Sequence, residues 1–166
     1  MTVLRTPRLV LEPLSPAHAE EMAPVLADPA LHRFTGGVPA TVDELRERYA
    51  RQAAGRSPDG RARWLNWVVR HEGTAVGHVQ ATVLDTTGLD AATSPLAELA
   101  WVIGVAHQGR GFAREAAAAV VAALPAGAVL VAHIHPEHAA SAAVARALGL
   151  APTGAVVDGE VRWESA

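Results

Sequence analysis

The chain contains no cysteine and no lysine: all fourteen of its basic side chains are arginine. Without a thiol it can form no disulfide, no thiolate metal site and no acyl-enzyme on sulfur, and its redox compartment is left open. Without lysine it has neither a Walker phosphate loop nor an amine for a Schiff base. No stretch approaches the eighteen uninterrupted apolar residues that a membrane helix needs. The opening "MTVLRTPRLVLEPLSP" carries charges and prolines within its apolar run, so it does not read as a secretory signal, and a cytoplasmic protein is expected. Strong charge of either sign is also missing. A formal net charge of −3 creates no field that would draw nucleic acid or an acidic membrane, so any anion must be met locally.

What is present is a half-apolar chain of 166 residues, enough for one domain, 1–166, with a real core. "RLVLEPL" reads as a strand, followed by a helix over "SPAHAEEMAPVLAD" with its Ser-Pro start. Thr41 and Glu44 form a capping box for a second helix, which Gly55 ends. Strands follow at Trp64 to His71 and Ala75 to Leu84, joined by a tight turn at Glu72-Gly73. The polar loop "TTGLDAATSP" leads to the strand "LAELAWVIGV". A helix from about Gly111 to Leu124, the strand "AVLVAHI", a helix over "PEHAASAAVARALG" and a hairpin around Asp158-Gly159 complete the chain. The order β α α β β β α β α β β predicts an α+β fold. Its mostly antiparallel sheet holds one parallel crossover, demanded by the strand, helix, strand unit from 97 to 134.

The stretch "AHQGRGFAREAAAA" carries the main chemical signal. Gln108, Gly111 and Ala113 fit Q/R-x-x-G-x-G/A, but so does "RHEGTA" at Arg70 to Ala75, which lies in a hairpin turn. Context separates them. Gln108 to Arg114 leaves a strand and opens a helix, so successive backbone N–H groups and the helix dipole converge on one point that attracts phosphate. Gly109 and Gly111 keep side chains out of the way, while Arg110 and Arg114 can add charge from the rim. An ordinary glycine-rich turn with solvated arginines fits the same letters. A dinucleotide fingerprint does not, because Arg114 stands where its third glycine belongs.

"AELAWVIGVAHQGRGFAREA" resembles the signature region of the GNAT superfamily of acyl-CoA-dependent N-acetyltransferases. "LRTPRLVLEPLSPAHAEEM" and "EHAASAAVARALGLAPTG" are similar to the branch that acetylates N-termini of ribosomal proteins, and the resemblance in element order covers nearly the whole chain. It departs at Val105, where the branch usually has proline, and at His138, where it has asparagine.

The resemblance implies a central sheet whose middle strands splay, flanked by helices. It implies acetyl-CoA as cosubstrate, its pyrophosphate on Gln108, Gly109, Arg110, Gly111, Phe112, Ala113 and Arg114 and its pantetheine beside Val102 and Ile103, with His138 near that arm. It further implies direct transfer to a primary amine, of a protein N-terminus or a small molecule, in a ternary complex. An amine attacks only as the free base, so a carboxylate acceptor of its proton is needed; Glu98 matches the family's position, although pairing with an arginine would also explain it. Ser141 matches the helix that often supplies an acid to the leaving thiolate, although a serine there often only bonds backbone. A homodimer is left open, and no metal is expected.

Two other classes remain. "HIHPEH", His133 to His138, imitates the metal-binding run of metallo-β-lactamase-like hydrolases, yet only 28 residues follow it, with one aspartate and no histidine. A GNAT-like module that binds acyl-CoA without turnover would carry the same cradle. The acceptor groove is expected from the helices after the first strand, the loop "DTTGLDAATSP" and the terminal hairpin.

Overall fold

The computed structural model describes residues 1–84 and 94–166. All but Ser94 and Pro95 of the loop expected to help shape the acceptor groove therefore lies outside the described residues. The strands are β1 (Leu4–Arg5), β2 (Leu9–Pro13), β3 (Ala62–His71), β4 (Thr74–Leu84), β5 (Leu96–Ile103), β6 (Val129–Ile134), β7 (Leu150–Val157) and β8 (Glu160–Ser165). The helices are α1 (Ala19–Val25), α2 (Val42–Ala53), α3 (Phe112–Ala123) and α4 (Ala139–Ala147). The strands form one sheet in the order β1-β2-β3-β4-β5-β6-β8-β7. Among the described residues only the β5–β6 pair is parallel, as the α3 crossover between them requires.

Each face of the sheet carries its own core. Leu9, Leu11, Val69, Val79, Leu99 and Ile103 point to the face where Phe112, Ala116 and Val120 of α3 and Ala145 of α4 close over them. Leu14, Val68 and Ala75 point the other way, against Met22 of α1 and Leu45 and Tyr49 of α2. This alternation along one strand, Trp67 to one side and Val68 to the other, reflects the two-residue period of a sheet covered on both faces. Trp67 is buried and donates its indole N–H to the Thr2 carbonyl, whereas Trp64 and Trp101 are half-buried.

The capping box at Thr41 forms: Thr41 receives the Glu44 N–H at 3.3 Å, and the Glu44 carboxylate accepts from the Thr41 N–H at 2.8 Å. The β3–β4 turn falls on Glu72 and Gly73, both at positive φ, and the β7–β8 turn on Asp158 and Gly159 likewise. Elsewhere the boundaries shift. The first helix begins as a 3₁₀ turn, Pro16–His18, and α1 ends at Val25 rather than running to Asp28. Pro24 lacks an N–H for the ladder, and Asp28 instead accepts the Ala30 N–H at 2.9 Å to cap a separate turn, Pro29–His32. β1 is a strand of two residues, too short for any periodicity to reveal. β7 starts at Leu150, because Leu150 and Ala151 pair with Ser165 and Glu164 before the register breaks between Pro152 and Val156.

Candidate functional site

The β5–β6 pairing is short. Leu96, Ala97 and Glu98 face Val129, Leu130 and Val131, and there it stops. Among the described residues, β5 continues from Leu99 to Ile103 alongside β4 alone, while Ala132 to Ile134 of β6 continue alongside β8 alone. The two strands form a fork with Glu98 at its apex. Along the fork, β5 offers unpaired backbone edge to anything that can bond like a strand. β4 and β5 approach closely near the mouth: a Cβ on Gly77 would lie 2.1 Å from the Val102 carbonyl oxygen, so only glycine fits there.

The mouth is where both crossover helices begin. Beyond Ile103 the chain makes a turn, Val105–His107, and the Gln108 side chain donates back to the Ile103 carbonyl at 2.9 Å. Gly109 and Gly111 then take left-handed conformations, with φ of 74° and 78°, and Gly111 becomes the N-cap of α3. Among the described residues, no backbone N–H from Gly109 to Arg114 finds an acceptor in the protein; the first to do so is Glu115, bonded to the Gly111 carbonyl. These donors, aligned with the dipole of a twelve-residue helix, suit an anion. Phe112 contributes only its N–H, since its ring is buried in the core. Arg110 stacks on that ring with its guanidinium carbon 4.6 Å from the centroid, and Arg114 is exposed at the rim.

A strap from the chain's start holds this turn in shape. Arg8 donates to the Arg110 carbonyl at 2.9 Å, and its guanidinium also meets Glu115 of α3 at 2.6 Å. The Thr6 hydroxyl and the Arg8 N–H bond the same carboxylate, at 2.6 and 3.0 Å. Burial works against the charge of Glu115, but the bonds from Thr6 and Arg8 outweigh it and hold the carboxyl below its usual range. Glu115 is visible in the sequence only as an acidic residue in a first helical turn, and Arg8 carries no local signal at all.

Across the mouth, His138 occupies the N-cap of α4 and its Nδ1 accepts the Ser141 N–H at 3.4 Å. Burial, together with the neighbouring His135, pushes the His138 pKa down. Its ring stacks on Phe34 at 4.5 Å, and that of His135 tilts against Phe34 at 5.1 Å. The segment after α1 therefore reaches the β6–α4 turn. Among the described residues the Ser141 hydroxyl makes no hydrogen bond, so it remains available.

Glu98 pairs with a histidine rather than an arginine: its Oε1 lies 3.0 Å from His133 Nδ1. Both project from the sheet face that α1 and α2 cover, and Glu98 stays about half exposed. His133 thus leaves the "HIHPEH" run for the fork, while His135 and His138 turn to Phe34. Among the described residues no group of three or more His, Asp or Glu side chains is arranged to hold a metal ion. None of the described helices is long and apolar enough to cross a membrane.

The family model described as an acetyltransferase (GNAT) domain matches residues 8–151. A GNAT-family acetyltransferase structure from Bordetella pertussis is 26% identical, covers 100% of both chains and has a TM-score of 0.71. An acetyltransferase from Agrobacterium tumefaciens is also 26% identical, over 100% of this chain and 95% of that one, with a TM-score of 0.66. RimL, a ribosomal L7/L12 alpha-N-protein acetyltransferase solved with coenzyme A, is 15% identical over 98% and 96% of the two chains; its TM-score of 0.74 marks a shared fold. No curated protein sequence matches the chain.

Proposed function

The chain belongs to the GNAT family of acetyltransferases, and from that premise we propose that it moves an acetyl group directly from acetyl-CoA to a primary amine in a ternary complex. The observation that carries this reading is the open fork, with Glu98 at its apex and unpaired N–H groups from Gly109 to Arg114 at its mouth. A diphosphate suits those donors, and an amide-bearing arm suits the free edge of β5 around Val102 and Ile103. Acetyl-CoA bound there supplies an activated acyl carbon on a thiolate leaving group.

The protein's own residues do the rest. Gln108 ties the turn to β5, and the strap from Arg8 keeps the donors pointing one way. Glu98 accepts the proton that the attacking amine releases, directly or through water, as the new C–N bond forms and the C–S bond breaks. His133, bonded to Glu98, fixes which carboxylate oxygen faces the acceptor and takes part in returning the proton to solvent. With His138 Nδ1 committed to Ser141, its Nε2 is the atom left for the cofactor arm, and the Ser141 hydroxyl can donate to the departing sulfur. With no cysteine, the enzyme has no thiol to hold the acetyl group between substrates.

The test is release of free CoA from acetyl-CoA against a panel of amines, for the wild type beside Glu98→Gln across pH. Turnover that falls in the variant and loses its dependence on a group titrating at the base supports the assignment. Unchanged activity at every pH removes Glu98 as base, and binding of acetyl-CoA without turnover of any amine would overturn the transferase reading.

A further inference from the structure

The sheet face beside Glu98 continues toward β3 as a small polar floor. Cross-strand register sets Thr82 opposite Glu98 and Trp64 opposite Thr82, with Gln80 and Asn66 paired one step along. Above this floor lies α2, and between them is a cavity of about 240 Å³. Trp64, Asn66, Gln80 and Thr82 line it from below, and Arg48, Arg51 and Gln52 from above.

The charges around the fork are not equally satisfied. On the β6–β8 side Glu98 meets His133, and Arg162 meets Glu164 at 2.7 Å. On α2 itself Arg46 is held by Asp43 and Glu20. Arg48 and Arg51 have no acidic partner among the described residues, although Glu44 lies one turn before Arg48. The Glu44 carboxylate is turned into the capping box with Thr41 instead. Arg48, Arg51 and Gln52, at spacings of three and four, share one helix face, so two guanidinium groups and a carboxamide converge on one cavity. The neighbouring interior feels this field: His78 on β4 is pushed down to about 4, first by burial and then by the charge of Arg48. Among the described residues its Nδ1 is buried without a partner, as is the Tyr49 hydroxyl.

We propose that the acceptor amine carries an anionic group, a carboxylate or a phosphate, which Arg48 and Arg51 receive over the β3–β4 floor while the amine lies at Glu98. This rests on the transferase reading and adds its substrate class. Guanidinium forks match the planar carboxylate and the phosphate oxygens, and the Asn66 and Gln80 amides can donate from below. The anion and the amine sit one to two interstrand spacings apart, about 5–10 Å, which is longer than in a simple α-amino acid. Amines with an acidic group farther along the molecule fit, whether small ω-amino acids and aminoalkyl phosphates or peptides with an acidic residue after the first. Polycationic amines are repelled.

The experiment compares matched pairs of acceptors with the full chain and acetyl-CoA. They are δ-aminovalerate and its carboxamide, aminopropyl phosphate and aminopropanol, and the C-terminally amidated tripeptides Ala-Asp-Ala and Ala-Asn-Ala; the pair with the largest ratio distinguishes small molecule from peptide. The anionic member is expected to lead in kcat/KM by about tenfold or more, chiefly through KM, and Arg48→Gln with Arg51→Gln should bring the ratio near one. Affinity for acetyl-CoA, measured by calorimetry, should be the same in both proteins. Both substitutions are exposed and helix-compatible, and circular dichroism checks the fold. A wild-type ratio near one for every pair, or a ratio that survives the double substitution, overturns the proposal and leaves the transferase reading standing. Should acetyl-CoA bind and no amine turn over, the transferase reading fails separately. Titration of δ-aminovalerate and its carboxamide into the acetyl-CoA-loaded protein then decides the anion site: binding of the acid alone, lost in the double variant, upholds it, and any other result overturns it.

Discussion

On the α3 side of the fork, the turn from Gly109 to Arg114 presents backbone N–H groups aimed by two left-handed glycines. On the α2 side, the floor from Trp64 to Glu98 and the arginines above it present side chains drawn from α2, β3, β4 and β5. The first side is local: within six consecutive residues it has its donors, its room and the start of its helix dipole. The second is assembled from positions up to fifty residues apart, none of which means much alone. Backbone recognition of a diphosphate can be shared by a whole family, whereas a side-chain floor can be changed one residue at a time to suit another amine.

That contrast can be broken most strongly at the apex. Glu98→Gln should lower kcat/KM by about a hundredfold to a thousandfold at neutral pH, as loss of a general base does, while the calorimetric Kd for acetyl-CoA stays put. An equal loss of cofactor affinity would mean that the apex belongs to the cofactor side after all.

The next test uses the two look-alike strings. Gly111 and Gly73 both sit near φ +80° and both follow the Q/R-x-x-G-x-G/A pattern. Replacing either by alanine should cost a similar stability, about 1–2 kcal/mol, for forcing a side chain into that conformation. Only Gly111→Ala should also weaken acetyl-CoA binding, by about tenfold or more, because only its turn gathers unpaired N–H donors at a helix start. Matching affinities for the two variants would show that the cradle is decoration.

A smaller effect is expected at the strap. Arg8→Met keeps the stem but removes the bonds to Arg110 and Glu115, and should cost about 1 kcal/mol of stability, since Arg8 is half exposed. Acetyl-CoA affinity should fall only severalfold. The last signal is read in stability against pH and concerns the α2 side in acid. His78 resists protonation in the folded protein, with a pKa near 4 against an ordinary 6.5, so the unfolded chain binds more protons between those values. Its contribution to stability is therefore full above pH 6.5, is lost as pH falls, and levels off near pH 4. In urea titrations across that range His78→Gln should flatten the slope.

Much of the fold could be read from the letters. Thr41 and Glu44 marked the start of α2, Asp158-Gly159 marked a hairpin, and the crossover from β5 to β6 required the parallel pair. Such features depend on neighbours in sequence. The end of α1 is hidden from the sequence pattern because Pro24 weakens the ladder and Asp28 has a better use in capping the next turn. In the site, the glycine turn was legible through its strand-to-helix context, not through its glycines, which the β3–β4 turn imitates. Glu98 was legible as a position on β5, but its partner was not. His133 looked like part of a metal run, and only the register of β6 against β5 carries it to the apex. Arg8, Phe34 and the pair Arg48 and Arg51 gain their significance from contacts across the sheet, which no local pattern encodes.

The strap has a consequence in time. Thr6 and Glu115 are 109 residues apart, yet they meet in one hydrogen bond, with Arg8 beside them holding the Arg110 carbonyl. During translation the opening strand leaves the ribosome long before α3 exists, so the strap closes only when the two ends of this long loop have met. Contacts of such sequence separation form late and slowly. A ligand filling that turn, as proposed, would favour the finished molecule over shorter intermediates. Its binding free energy would then stabilise the native state over the unfolded chain, in proportion to the logarithm of the cofactor concentration.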